Sequence, residues 1–121
     1  KVEVFGTDYD TRDGSCIRDY IHVSDLADAH LKALDYLKHE NQDLVINLGT
    51  SNGLSVLEIM QIAREVSGKE FNYTLGPRRA GDPAVVLAKA ELAEELLDWK
   101  PKHSDANTLL ETTLRAYRQS S

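Results

Sequence analysis

The run Arg18-Asp19-Tyr20-Ile21-His22-Val23-Ser24-Asp25-Leu26-Ala27-Asp28-Ala29-His30 fixes what the surrounding chain can become. Ile21 and Val23 alternate with Tyr20, His22 and Ser24, a period of two that predicts a short strand with one polar and one buried face. From Leu26 onward the apolar positions Leu26, Ala29, Ala33, Leu34 and Leu37 recur at helical spacing. Ser24 is the expected N-cap, and Asp25 and Asp28 suit the positive end of the helix. A strand running into a helix N-terminus is a place where ligands gather in α/β proteins. Arg18 and Tyr20, just upstream, are the candidate binding groups. Read locally, Arg18-Asp19 is equally a solvated pair, Tyr20 a packing residue, and His22 and His30 structural histidines.

Around this junction the pattern is that of alternating short strands and helices. Residues 6 to 16 are rich in turn formers and predict a loop with a turn at Asp13-Gly14. Leu44-Val45-Ile46-Asn47-Leu48 is a nearly continuous apolar run, as in a strand buried on both faces of a parallel sheet, and such a strand needs neighbours. Ser55-Val56-Leu57-Glu58 is a capping box that opens a helix to about Ser67, which Gly68 stops. Phe71 to Leu75 alternates as a strand, and Val85-Val86-Leu87 forms a shorter one. Lys89 to Leu97 is a helix with Leu92, Leu96 and Leu97 inward, closed by Trp99-Lys100-Pro101. A last helix opens at Ser104 to Asn107 and runs to about Tyr117, with Leu110, Leu114 and Tyr117 inward.

The 121 residues suffice for one domain, with no repeats and no internal linker. A net charge of -6 argues against a nucleic-acid surface, which needs a basic field. In so acidic a chain the pair Arg78-Arg79 stands out. No apolar run approaches membrane-spanning length, no signal-peptide pattern occurs, and the single cysteine, Cys16, has no partner for a disulfide; a reducing cytoplasmic setting is the expectation. The chain starts at Lys1, and Val2 to Gly6 read as the end of a strand already under way, so a piece of a longer protein is expected.

The loop Gly76-Pro77-Arg78-Arg79-Ala80-Gly81-Asp82 has the parts for a phosphorylated ligand. A guanidinium fork pairs two phosphate oxygens at once, glycines let the backbone approach, and a carboxylate can take two sugar hydroxyl protons. Arg18 can supply a second fork. Four scattered histidines and one cysteine have no metal-ligand spacing. Neither a Walker loop, nor a Gly-x-Ser-x-Gly elbow, nor a dinucleotide glycine pattern is present.

Taken together, Arg18-Asp19-Tyr20-Ile21-His22-Val23-x-Asp25-Leu26-Ala27-x-Ala29-His30, Asn47-Leu48-Gly49-Thr50, Ser55-Val56-Leu57-Glu58, Pro77-Arg78-Arg79-x-Gly81-Asp82 and Trp99-Lys100-Pro101 resemble, in order and separation, the C-terminal part of the UDP-glucose 4-epimerases, extended short-chain dehydrogenases/reductases. The resemblance covers nearly the whole chain. It implies an α/β fold: the C-terminal substrate-binding portion of such an enzyme, several helices with short strands, without the N-terminal Rossmann half. Residues of about 20–50 would pack with the NAD-binding body, and residues 54–121 would form the substrate lobe. The implied activity is NAD-dependent interconversion of UDP-glucose and UDP-galactose through oxidation at C4, part of galactose metabolism. The implied substrate-binding residues are Arg18 and Arg79 on the diphosphate with Tyr20 beside them, Asp82 on the ribose, and Phe5 and Val56 at the uracil. Val86, four residues after Asp82, would lie beside the C2 substituent of the sugar. NAD would be bound by the missing half and not by this chain, which also lacks the catalytic Tyr-x-x-x-Lys, so no catalytic residue is assigned and the chain alone is expected to be inactive. A homodimer is implied for the parent enzyme, and self-association is expected of the isolated piece. Another UDP sugar as substrate (a uronate, a pentose or an N-acetylhexosamine) and a non-enzymatic nucleotide-binding module are the alternatives. Asp98 stands where the family often has a helix-ending glycine, which predicts a looser or strained turn there.

Overall fold

The computed structural model describes residues 1–120. Nine elements follow in order: β1 (Val2–Phe5), β2 (Ile17–Arg18), α1 (Val23–Glu40), β3 (Leu54–Ser55), α2 (Val56–Ser67), β4 (Tyr73–Gly76), β5 (Val85–Val86), α3 (Glu91–Leu97) and α4 (Ala106–Gln119). The strands form two small sheets. β1 pairs in parallel with β4, setting Val2 opposite Tyr73 and Phe5 opposite Gly76. β2 is the centre of the other, antiparallel to β3 and parallel to β5, with Arg18 between Leu54 and Val86. No helix among the described residues is long and apolar enough to cross a membrane.

The junction at residues 18–30 is built differently from its local pattern. The strand is Ile17–Arg18 rather than residues 20–24, and the helix has already begun at Val23. His22, not Ser24, is the cap: its imidazole Nδ1 accepts the Ser24 backbone N–H at 2.9 Å. The other ring nitrogen meets Thr112 Oγ1 at 2.8 Å, so with Nδ1 accepting, Nε2 carries the proton. Alternation over five residues does not separate a strand from a chain turning into a helix, and the cap decides it. Asp25 does sit in the first turn, but its carboxylate looks outward from the helix. It accepts from the backbone N–H groups of Lys102 and His103, each at 2.9 Å, and from the Ser104 hydroxyl at 2.5 Å. Trp99, 1% exposed, donates its indole N–H to the Asp25 carbonyl at 2.9 Å. The Trp99-Lys100-Pro101 corner is thereby tied to the start of α1. α4 begins at Ala106, capped by Asp105; Ser104 faces inward to Asp25.

The main core consists of Ala29, Ala93, Leu97 and Trp99, flanked by Ala33, Tyr36, Leu44, Ile46, Leu48 and Ala90. Leu44 to Leu48 is not a paired strand among the described residues. Its burial still alternates, with Leu44, Ile46 and Leu48 half-buried and Val45 94% exposed, so one face packs on the core and the other has no cover. The same one-sidedness marks the helices. Leu92 and Leu96 on α3 and Tyr117 on α4, expected inward, are exposed, and so are Leu34 and Leu37 of the α1 apolar spacing. The apolar stripes of α1 and α3 are wider than the core they meet. Asp98 ends α3 at φ 51°, the left-handed geometry of a glycine position filled by an aspartate, as its sequence position predicts.

Candidate functional site: an arginine-carboxylate cluster at the sheet edge

The capping box of α2 fixes one wall of the site. Ser55 accepts the Glu58 N–H at 3.1 Å while Glu58 takes the Ser55 N–H at 2.8 Å. Arg12 grips both oxygens of Glu58, at 2.8 and 2.6 Å, and Asp13 receives the Ser55 and Ser15 hydroxyls, so the 6–16 loop is docked on the helix N-terminus. The next α2 donors are also taken: Val56 N–H by the Cys16 carbonyl at 3.0 Å and Leu57 N–H by Ser15 Oγ at 3.2 Å. This helix end is closed by protein and does not offer its N–H groups to an anion. Asp19 ties the other side. It accepts from the Thr50 N–H and hydroxyl and from the Ala88 N–H, so it is a hub between two loops rather than a solvated partner of Arg18.

Against this frame Arg18, from the central strand, reaches Asp82. Nη2 lies 2.5 Å from Asp82 Oδ1 and 2.9 Å from the Pro83 carbonyl, while Nη1 donates to the Ile17 carbonyl at 2.8 Å. Arg79 approaches the other carboxylate oxygen at 3.2 Å. The two arginines differ in freedom: the Arg18 side chain is 23% exposed and that of Arg79 62%. Hydrogen bonds from Arg18 and then Arg79, with their charges, outweigh desolvation and hold the Asp82 carboxyl below its ordinary pKa. The Arg79 guanidinium carbon stands 4.8 Å from the centre of the Phe5 ring, a cation-π stack. Tyr20 is half-buried; burial pushes its hydroxyl pKa up, with the Arg18 charge opposing.

Of the residues singled out in the sequence, Phe5, Arg18, Arg79 and Asp82 thus meet in one cluster, and Val86 pairs in register beside Arg18. Val56 follows directly on β3, on the opposite side of Arg18 from Val86. Tyr20 lies next to the cluster but makes no direct bond to it among the contacts described. Arg78, the neighbour of Arg79, is spent elsewhere: Nε pairs with Asp8 Oδ1 at 2.8 Å and Nη2 with the Asp8 carbonyl at 2.6 Å. Sequence reasoning missed Tyr9. Its ring lies under the Arg78 guanidinium at 4.2 Å, and its hydroxyl donates to the Asp82 carbonyl at 2.9 Å. An aromatic in a loop of turn formers, needing burial of its own, was the available signal. Tyr9 and residues 78–83 line an open cleft of about 550 Å³, so that Arg78, Arg79 and the Asp82 carboxylate face it while Arg18 holds Asp82 from outside the lining.

The glycines of the Gly49 to Gly53 loop face protein. A Cβ on Gly49 would stand 2.6 Å from the Ala88 carbonyl oxygen and 2.7 Å from Asp19; on Gly53 it would stand 2.3 Å from Ile17. Both are close-packing positions, and neither is a cradle that the phosphates of a dinucleotide would fill, so these residues do not fit NAD.

A family model described as the NAD dependent epimerase/dehydratase family matches residues 1–49. The UDP-glucose 4-epimerase of Lacticaseibacillus casei is 48% identical over 111 residues, 92% of this chain and 34% of the relative. The UDP-glucose-4-epimerase of Stenotrophomonas maltophila, solved with NAD and formylated UDP-arabinopyranose, superposes with a TM-score of 0.91 at 41% identity, over 100% of this chain and 37% of that one. The UDP-Glc/GlcNAc 4-epimerase of Campylobacter jejuni gives 0.88 at 45% identity, over 98% and 36%. Over residues 1–49 the chain is similar to the NAD dependent epimerase/dehydratase family. Within that class it is similar to the C-terminal part of UDP-glucose 4-epimerase, and it spans about a third of the length of the curated relatives it matches.

Proposed function

We propose that this chain is the nucleotide-sugar-binding part of an NAD-dependent UDP-glucose 4-epimerase, which interconverts UDP-glucose and UDP-galactose in galactose metabolism. The observation that carries the reading is the Arg18–Asp82–Arg79 cluster, with an aromatic ring against one arginine and a small side chain beside the other. Arg18 and Arg79 bind the diphosphate, with Tyr20 next to them. Arg79, open to solvent, exchanges its long contact with Asp82 for phosphate oxygens. Asp82 stays on Arg18 through Oδ1 and turns its freed oxygen to the ribose hydroxyls. Phe5 and Val56 flank the uracil. NAD, held outside these residues, supplies the hydride acceptor when bound. The uncovered face of residues 20–50, including Val45, packs on the NAD-binding body, and residues 54–121 form the substrate lobe. The whole enzyme is a cytoplasmic homodimer.

The full-length protein supplied with NAD and UDP-galactose is expected to yield UDP-glucose. No turnover of any UDP sugar by that protein would contradict the reading. A wider substrate range is favoured by Val86, which is 47% exposed beside Arg18 and lacks the phenol of a tyrosine. We read the sugar pocket as open enough for an N-acetyl group, so the enzyme also interconverts UDP-N-acetylglucosamine and UDP-N-acetylgalactosamine. Forcing that group past a tyrosine costs about 1–3 kcal/mol of overpacking, or roughly 10–200-fold. Val86→Tyr is therefore expected to lower kcat/KM for the acetylated sugars relative to the plain ones by that factor. An unchanged ratio would mean that Val86 does not line the pocket.

A further inference from the structure

The loop that presents Arg79 and Asp82 has little to hold it. Residues 77–81 are exposed, and the local turn is closed by a long bond from the Asp82 N–H to the Arg79 carbonyl at 3.3 Å. No large apolar side chain from this loop enters the core. Apart from Arg18, which holds the Asp82 carboxylate and the Pro83 carbonyl, what restrains it comes from the far side of the cleft, from residues to which the proposed nucleotide site assigns no role. We propose that Tyr9 and Arg78 form a positioning latch that holds the 77–83 loop in the shape in which Arg79 and Asp82 receive a nucleoside diphosphate. The latch rests on the reading of that site as a diphosphate site.

Three ties converge on the Tyr9 ring, which is 7% exposed. Its hydroxyl donates to the Asp82 carbonyl, fixing the loop at the residue whose carboxylate both arginines share. Its face carries the Arg78 guanidinium, which is clamped in turn by the side chain and the carbonyl of Asp8. Its edge rests on Gly6, where a Cβ would lie 2.4 Å from Tyr9 Cε2 and 3.1 Å from Arg78 Cγ. Gly6 has φ +95° and donates to the Gly76 carbonyl at 3.0 Å, so the floor of the latch is the end of the β1–β4 pair itself. Arg78, committed to the Tyr9 side, leaves Arg79 over Phe5 with its fork at Asp82. A planar guanidinium serves this purpose better than an ammonium, because it stacks and makes a two-point grip at once.

Tyr9→Phe removes one hydroxyl and keeps the ring under Arg78. In the full-length protein it is expected to weaken UDP binding by about three- to ten-fold, the range of one hydrogen bond. The KM for UDP-galactose is expected to rise by a like factor with kcat within two-fold, and the amides of residues 79–83 to exchange faster. The thermal midpoint is expected to stay at the wild-type value, a split that a merely structural tie would not produce. Arg78→Ala is expected to act in the same direction, with Arg78→Lys recovering only part. If Arg79→Ala weakens UDP binding while Tyr9→Phe and Arg78→Ala leave both affinity and exchange unchanged, the latch is overturned and the diphosphate site stands. If Tyr9→Phe lowers the midpoint and leaves UDP affinity alone, the residue is a structural tie and the latch is likewise overturned. If Arg79→Ala binds UDP as the wild type does, the diphosphate reading falls, and the latch with it.

Discussion

Two aspartates in this chain each gather several donors, with opposite consequences. Asp82 collects two arginines at a cleft edge, where a ligand can take one of them away. Asp25, 2% exposed, collects two backbone N–H groups and a hydroxyl and is left with no such choice. Burial pushes the Asp25 carboxyl up, but the Ser104 hydroxyl and the Lys102 and His103 amides, with the charge of His103, outweigh it and hold its pKa below the ordinary value. A carboxyl depressed in the folded state contributes stability that is complete above its ordinary pKa and is lost as pH falls through the folded one. Asp25→Asn is expected to destabilise the full-length protein by about 1–3 kcal/mol near neutral pH, because one amide N–H₂ must then face converging donors. Urea midpoints measured from pH 7 downward check it: the variant should show a shallower acid limb, and a limb identical to wild type would place the lost protonation elsewhere. Much of this was legible in the sequence at the level of residue type. Arg18, Arg79 and Asp82 were visible because charge-bearing side chains in an apolar or glycine-rich context need a reason. Tyr9 was not, nor was the division of labour between Arg78 and Arg79, since both depend on two loops meeting across the cleft, which no local spacing encodes.

Elements were legible wherever a local device defines them. The capping box at Ser55 and Glu58 and the stop at Gly68 placed α2 within a residue or so, because the polar groups that end a helix lie within the same few residues. The junction at residues 18–24 and the run Leu44 to Leu48 were misread because their states depend on partners distant in sequence: Thr112 and Ser104 for His22, and the core of α1, α3 and Trp99 for Leu44, Ile46 and Leu48, beside which no strand pairs among the described residues. Ser55 is more than a cap here, since its hydroxyl also serves Asp13 and so joins α2 to the 6–16 loop. Ser55→Ala should therefore exceed the usual capping loss, costing about 2 kcal/mol or slightly more. Chemical denaturation gives the number; a loss of only a few tenths would mean that the loop and the helix are docked without it.

As a molecule, the chain exposes large apolar side chains on its first helix and along an unpaired segment. Val23, Leu31, Leu34 and Val45 are 74%, 69%, 51% and 94% exposed along α1 and the unpaired 44–48 segment. An unpaired edge with apolar flanks is a template for pairing. The isolated 121-residue chain is accordingly expected to self-associate and to turn over no UDP sugar. Sedimentation at rising concentration checks the first point, and a clean monomer with the amides of residues 44–48 already protected from exchange would contradict it. For the full-length protein, the decisive measurement compares the calorimetric titration of UDP and of uridine into wild type and Arg79→Lys. Charge-assisted two-point bonds to the diphosphate predict that the variant loses roughly ten-fold or more in UDP affinity and nothing for uridine. Equal affinity for UDP in both proteins, or an equal loss for UDP and uridine, would contradict a diphosphate site at Arg18 and Arg79.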